Sequence, residues 1–364
     1  MKKMRAKHVI IYTLSIILST ACIRNEVPNA EADILTCSLP GVIMTTSPII
    51  NNNSIILFVG PGTDLSALAP EFTLTPGASI TPVGGTERNF ESPQKYTVTA
   101  ADGFWKKLYT VSVIDTELAT NYNFEDTLGG QKYYIFVERE AGKVIMQWAS
   151  GNAGYALTGV AKTADDYPTF QTTDGCEGKC LSLVTRSTGF FGQMVGMPIA
   201  AGNLFIGSFD VNNAMTNPLK ATKFGLPFRH VPTYLAGYYK YKAGNQFTEG
   251  GKPVNGKRDI CDIYAIMYET SETVSTLDGT NAFTSPNLVS MARINDAKET
   301  DEWTYFKLPF TTLPGKFIDK EKLQEGKYNI SIVFSSSLEG DHFNGAVGSN
   351  LQIDEAELIY HSEN

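Results

Sequence analysis

SSSLEGDHFNGAVGSNLQIDEAELIYHSEN, residues 335–364, is the stretch whose reading decides the fold. Leu351 and Ile353 alternate with polar neighbours, and so do Ala356, Leu358 and Tyr360, with the phase slipping by one residue at Asp354-Glu355. Successive side chains of a strand point to opposite faces, so this alternation predicts a half-buried antiparallel strand, and the slip predicts a bulge. The loop before it holds Gly340, Gly345 and Gly348. Glycine permits positive φ and close backbone approach, which predicts a tightly shaped loop that either binds a ligand or turns a corner.

Upstream the same period recurs. Residues 34–39, 54–59, 71–75, 96–100 and 108–114 read as strands of a first sandwich, with a hairpin turn at Ala101-Asp102-Gly103. Residues 133–138, 143–149, 180–185, 203–211, 236–241, 262–269, 288–293, 304–309 and 328–335 read as strands of a second. Residues 319–324 suit one or two helical turns. Thr, Val, Ile, Tyr and Phe dominate, and stretches rich in helix formers are missing. The fold class is therefore all-β. Residues 34–115 form an Ig-like sandwich, and residues 121–362 a larger jelly roll of two sheets packed face to face.

The start of the chain reads as an export signal over residues 1–21. Lys2, Lys3, Arg5 and Lys7 precede an apolar run over residues 9–18 that is short for a membrane span. Ser19-Thr20-Ala21-Cys22 follows, and small residues before a cysteine resemble a bacterial lipobox. Cys22 is then the lipidated residue, and residues 22–33 form a polar tether. The alternative is an ordinary cleavage site with Cys22 kept for a disulfide. Ile23 follows in place of the aspartate that retains some lipoproteins in the inner membrane, so outer membrane is expected, on its periplasmic or cell-surface face.

The net charge of the chain is −8, and removing the four basic residues of the signal leaves about −12. No basic cluster is present, which argues against nucleic acid and anionic lipid surfaces as partners. Five cysteines occur. Cys176 and Cys180, in GCEGKC, read as a local disulfide, since an exported chain can keep one and C-x3-C without histidine is a weak metal signal. Cys37 and Cys261 fall in strand-like segments and read as buried thiols.

Five segments in order carry a resemblance: AGNLFIGSF (201–209), GLPFRHVPTYLAGYYKYKAG (225–244), DICDIYAIMYET (259–270), EWTYFKLPF (302–310) and the closing block. Together they resemble the "putative carbohydrate metabolism domain" family of Bacteroides-type lipoproteins. DLSALAPEFTLTPGASITPVGG (64–85) with YTVTAADGFWKKLYTVSV (96–113) resembles bacterial Ig-like modules, which usually act as spacers. The resemblance implies a jelly roll related to carbohydrate-binding modules, with glycans as ligands and no established reaction. It also implies a structural Ca²⁺ held by Glu125 and Asp354 at the two ends of the jelly roll. The alternative is that both are ordinary hydrogen-bonded acids. No other cofactor is expected.

Sugar binding needs flat apolar faces against the C–H side of a pyranose, with polar groups at the rim. Trp148, Tyr239, Tyr241 and Trp303 are the aromatic candidates, with Tyr155, Phe190 and Phe191 behind them. Arg186 and Arg229 are candidates for paired hydrogen bonds to hydroxyls. In Tyr238-Tyr239-Lys240-Tyr241, Tyr239 and Tyr241 share one face and Tyr238 and Lys240 the other. No catalytic motif accompanies the scattered acids or the histidines His230, His342 and His361. A non-catalytic glycan-binding lipoprotein is the expected function. A glycoside hydrolase with a carboxylate pair, or a structural or adhesion lipoprotein, is the alternative.

Overall fold

The computed structural model describes residues 29–41, 44, 48–50, 53–60, 63–115 and 117–361. Residues 1–28, with the export signal and Cys22, lie outside them. The chain forms two compact units. Both are built from antiparallel strands, and the fold is all-β.

The smaller unit contains β1 (Ile34–Ser38), β2 (Ile49–Ile50), β3 (Ser54–Phe58), β4 (Glu71–Leu74), β5 (Ser79–Thr81), β6 (Gln94–Thr99) and β7 (Lys106–Ile114). One sheet runs β2-β3-β7-β6-β5, and β1 pairs with β4. The alternation read in β6 and β7 decides the core. Tyr96, Val98, Tyr109 and Val111 point inward with Ile55 and Leu57 and are buried, and Phe72 of β4 packs on Tyr96 at 4.8 Å between ring centroids. The β6–β7 hairpin turns where expected. Gly103 takes φ +75°, and the Asp102 carboxylate accepts from the amides of Phe104 and Trp105.

The larger unit has two main sheets. The first contains β8 (Asn121–Tyr122), β9 (Thr169–Thr172), β10 (Cys180–Val184), β13 (Val231–Lys242), β16 (Thr300–Pro309) and β19 (Asn350–His361). The second contains β11 (Asn203–Phe205), β12 (Leu226–Pro227), β14 (Asp262–Glu269), β15 (Leu288–Arg293), β17 (Thr311–Thr312) and β18 (Tyr328–Ser335). Their orders are β9-β10-β19-β13-β16, with β8 on β19, and β11-β18-β14-β15-β17, with β12 on β18. Phe334 of β18 meets Phe124 and Trp148, and Trp148 meets Tyr122, which pairs with Ala356 of β19. This aromatic cluster therefore lies between the sheets.

The closing strand has the bulge that its phase slip predicts. Pairing with β13 jumps from Ala236↔Glu357 to Tyr238↔Asp354, and Glu355 takes φ +46°. The segment 203–211 is not one strand: it breaks into Asn203–Phe205 and Gly207–Phe209 at Gly207, φ +146°. The second piece joins Thr222–Phe224 and Leu277–Asp278 in a small sheet. Phe224 and Leu277 of that sheet pack with Tyr264, Ile266 and Tyr268, so β14 is covered on both sides. That coverage explains why its sequence, DIYAIMYE, reads as a continuous buried run.

Candidate functional site

On the face of the second sheet turned away from the other sheet, two cross-strand rows meet. Asn203, Ser335 and Asp262 align across β11, β18 and β14; Phe205, Val333, Tyr264 and Arg293 align in the next row. Asp262 and Tyr264 are two residues apart and so share this face. Register places Arg293 beside them although it is far away in sequence.

Arg293 grips Asp262 through two parallel hydrogen bonds, Nε to Oδ1 at 3.0 Å and Nη2 to Oδ2 at 2.6 Å. Its guanidinium lies 4.4 Å from the Phe283 ring centroid and 5.5 Å from that of Tyr264, and the two rings are 5.0 Å apart. Asp262 and Tyr264 are buried, whereas Phe283 remains 43% exposed. Burial pushes the Asp262 carboxyl upward, the Arg293 hydrogen bonds pull it down, and the charge of Asp341 pushes it up again. Asp341 is half exposed and holds His342 Nδ1 at 2.6 Å. The corner thus combines a carboxylate acceptor, a guanidinium with N–H groups beyond the two it spends on Asp262, and an accessible aromatic ring. A polyhydroxylated ring with one apolar face matches that set.

None of the six residues expected to bind ligand belongs to this corner. Trp148 is buried between the sheets and donates its indole N–H to Glu138 Oε1 at 2.9 Å, because the segment 143–149 delivers it into the core. Tyr239 and Tyr241 are also buried; the alternation was right and the opposite face is the outer one. That outer face carries Tyr238 and Lys240, with Tyr238 against Tyr305 at 5.3 Å. Trp303 is on it and half-buried, its ring covered by Lys240 Nζ at 4.7 Å. Arg186 spends Nη2 on the Asp165 carbonyl and lies over Phe170. The Arg229 guanidinium packs near Gly326. Asp262, Tyr264, Phe283 and Arg293 carried no local motif; the paired register of β14 and β15 is the signal that joins them.

Glu125 and Asp354 do converge, on the GCEGKC loop. Asp354 Oδ2 accepts from the amides of Cys176 (2.6 Å) and Glu177 (3.1 Å), and Oδ1 from Glu355 (2.9 Å). Glu125 Oε1 accepts from Lys179 at 2.6 Å, while the carbonyls of Phe124 and Glu125 accept from Gln171 Nε2. Calcium takes six to eight oxygens, and these oxygens point at N–H donors, so the donor set does not fit that ion. Among the described residues, no group of three or more His, Cys, Asp or Glu side chains is arranged to hold a metal. The expected bridge is absent from the same loop. Cys176 and Cys180 are free thiols, because Cys180 is buried on β10 while Cys176 sits exposed in the loop. Burial pushes the Cys180 thiol up to about 12. Cys37 and Cys261 are buried free thiols, as the sequence suggested.

Comparison with known proteins bears on the chemistry of this unit. Residues 123–359 match the model of the "Putative carbohydrate metabolism domain", and residues 34–113 that of "SGBP, N-terminal". A solved chain from Bacteroides thetaiotaomicron, named a "putative glycoside hydrolase", is 83% identical. The match covers 93% of this chain and all of that one, with a TM-score of 0.92. A second chain so named, from Bacteroides vulgatus, is 48% identical over 67% of this chain and 99% of its own, with a TM-score of 0.64. Among curated proteins none matches.

Proposed function

The chain belongs to the putative carbohydrate metabolism domain family, and from that membership we propose that its larger unit binds an oligosaccharide or polysaccharide without cleaving it. The observation that carries this reading is the corner of Asp262, Arg293, Tyr264 and Phe283. There a partly exposed Arg293, gripped by the buried Asp262, and an accessible ring stand side by side. Asp262 holds the guanidinium in place, Arg293 donates its remaining N–H groups to hydroxyls, and Phe283 packs on the C–H face. We place the protein in a glycan-uptake system, as an outer-membrane lipoprotein anchored through Cys22 and operating without a cofactor.

A hydrolase is the second reading, favoured by the charge of Asp341, which pushes the Asp262 carboxyl upward. Both oxygens of Asp262 are engaged by Arg293, which suits a fixed acceptor better than a proton donor. A panel of plant and host glycans, read for both retention and released reducing sugar, separates the readings. Retention without release is expected. Release abolished by Asp341→Asn would replace binding with hydrolysis, and neither retention nor release would leave both sandwiches as spacers.

A further inference from the structure

The smaller unit carries a second exposed feature that glycan binding by the larger unit does not use. At the β6–β7 turn, Phe104 is 88% and Trp105 65% exposed, side by side. Their presentation is fixed. The Asp102 carboxylate accepts from both of their amides, Gly103 donates to the Ala100 carbonyl, and Ala100 donates to the Trp105 carbonyl. The 75–78 turn lies against the same hairpin, where a Cβ on Gly77 would come within 2.7 Å of that of Ala101.

This end of the sandwich is also where the chain arrives from its N-terminus. The Asn29 carbonyl accepts from the Asp102 amide at 3.3 Å, and the Asp33 carbonyl from Thr75 at 3.0 Å. Thr75 Oγ1 donates to the Glu31 carbonyl, and the Asp33 carboxylate holds Lys107 at 2.5 Å and the Tyr109 hydroxyl at 3.2 Å. Residues 29–33 are thus pinned beside the aromatic tip. Cys22 lies only seven residues before Asn29, a reach of at most ~25 Å for a fully extended chain.

We propose that Phe104 and Trp105 seat in the interfacial layer of the bilayer to which the chain is tethered. The inference rests on the lipidation of Cys22 for its setting. A tether this short holds the tip at high effective concentration against the membrane, so weak partitioning is enough to dock it. Amphipathic aromatic rings settle at the boundary between headgroups and acyl chains. Docking by the tip fixes one end of the sandwich on the membrane, where a bare tether would let it swing.

The test uses the mature chain in two forms on vesicles of mostly phosphatidylethanolamine with a minor share of phosphatidylglycerol. One form is acylated protein purified from membranes. The other starts at residue 23 behind a histidine tag and is held by nickel-chelating lipid, which restores the tether whether or not Cys22 is acylated. The readout is quenching of tryptophan fluorescence by lipids brominated near the headgroup end of the acyl chain. Trp148 is buried and Trp303 half-buried, both in the larger unit, so Trp105→Phe identifies the source. Quenching in the tagged form that is lost in Trp105→Phe is expected. Without any anchor, Phe104→Ser with Trp105→Ser should lower the vesicle-bound fraction roughly tenfold or more. Quenching absent from the tagged form, or unchanged in Trp105→Phe, overturns the proposal and turns the tip toward a protein or glycan. Mass spectrometry of Cys22 judges the lipidation separately: an unacylated cysteine with a quenched tagged form removes the anchor and keeps the tip.

Discussion

At the scale of single residues, Glu138 shows how burial changes a side chain's role. It supports the Trp148 indole inside the core, and burial raises its carboxyl from 4.5 to about 7 against the pull of that hydrogen bond. An acid raised in the folded state favours folding fully below its unfolded value and loses that advantage as pH rises to the folded one. Stability is therefore expected to fall between pH 4.5 and about 7. Glu138→Gln should flatten the fall and leave the variant more stable above pH 7 by up to ~3 kcal/mol, measured by denaturant unfolding across pH. A variant that tracks the parent at every pH would refute this. Trp148→Ala should cost about 3–5 kcal/mol in the same assay without a specific effect on glycan retention. The aromatic candidates read from sequence were mostly of this core type, because composition reports how many rings exist and alternation reports only which share a face. At the binding corner, Phe283→Ala should weaken glycan retention roughly tenfold with little change in melting temperature, since the ring is partly exposed. Retention unchanged in that variant would move the site elsewhere.

At the scale of elements, the bulge in β19 and the GCEGKC loop form one assembly. Glu355 in a left-handed conformation turns Asp354 toward the loop amides, and Phe124, with φ +55°, does the same for Glu125. Acids at the two ends of the larger unit thereby hold one loop by hydrogen bonds to its main chain. Burial raises Asp354, helped by the charge of Glu125, so the amides offset an otherwise costly acid pair. Gly178 has φ +65°, and a Cβ there would stand 2.0 Å from Glu125 Oε1. Gly178→Ala should cost about 1–2 kcal/mol and speed thiol labelling of Cys176 as the loop loosens. Because amides satisfy these oxygens, melting temperatures in excess calcium and in chelator should coincide. A clear rise with calcium would show that the ion displaces the amides and restores the metal expectation. The bulge was legible as a phase slip in the sequence. The partners of Asp354 were not, because they lie 177 and 178 residues away and only the folded loop presents them.

At the scale of the whole molecule, the two sandwiches carry two separate surfaces: a polar aromatic corner on the larger unit and an apolar tip on the smaller. If Cys22 carries lipid, Cys22→Ala should move the protein from the membrane fraction to the soluble fraction or leave uncleaved precursor. Unchanged processing and fractionation would remove the anchor. The sequence by itself determined the all-β class, the hairpin at Asp102-Gly103, the extents of β14, β15 and β18 and the bulge at Asp354-Glu355. These are properties of local alternation and of residues that permit positive φ, and each is written within a few neighbouring positions. Only the tertiary structure decided which face of β13 is core, whether Cys176 and Cys180 join, and that Asp262 meets Arg293. Each of those depends on the register between strands distant in sequence and on what packs over them. A period of two marks the faces of a strand, but which one is buried is set by what covers it.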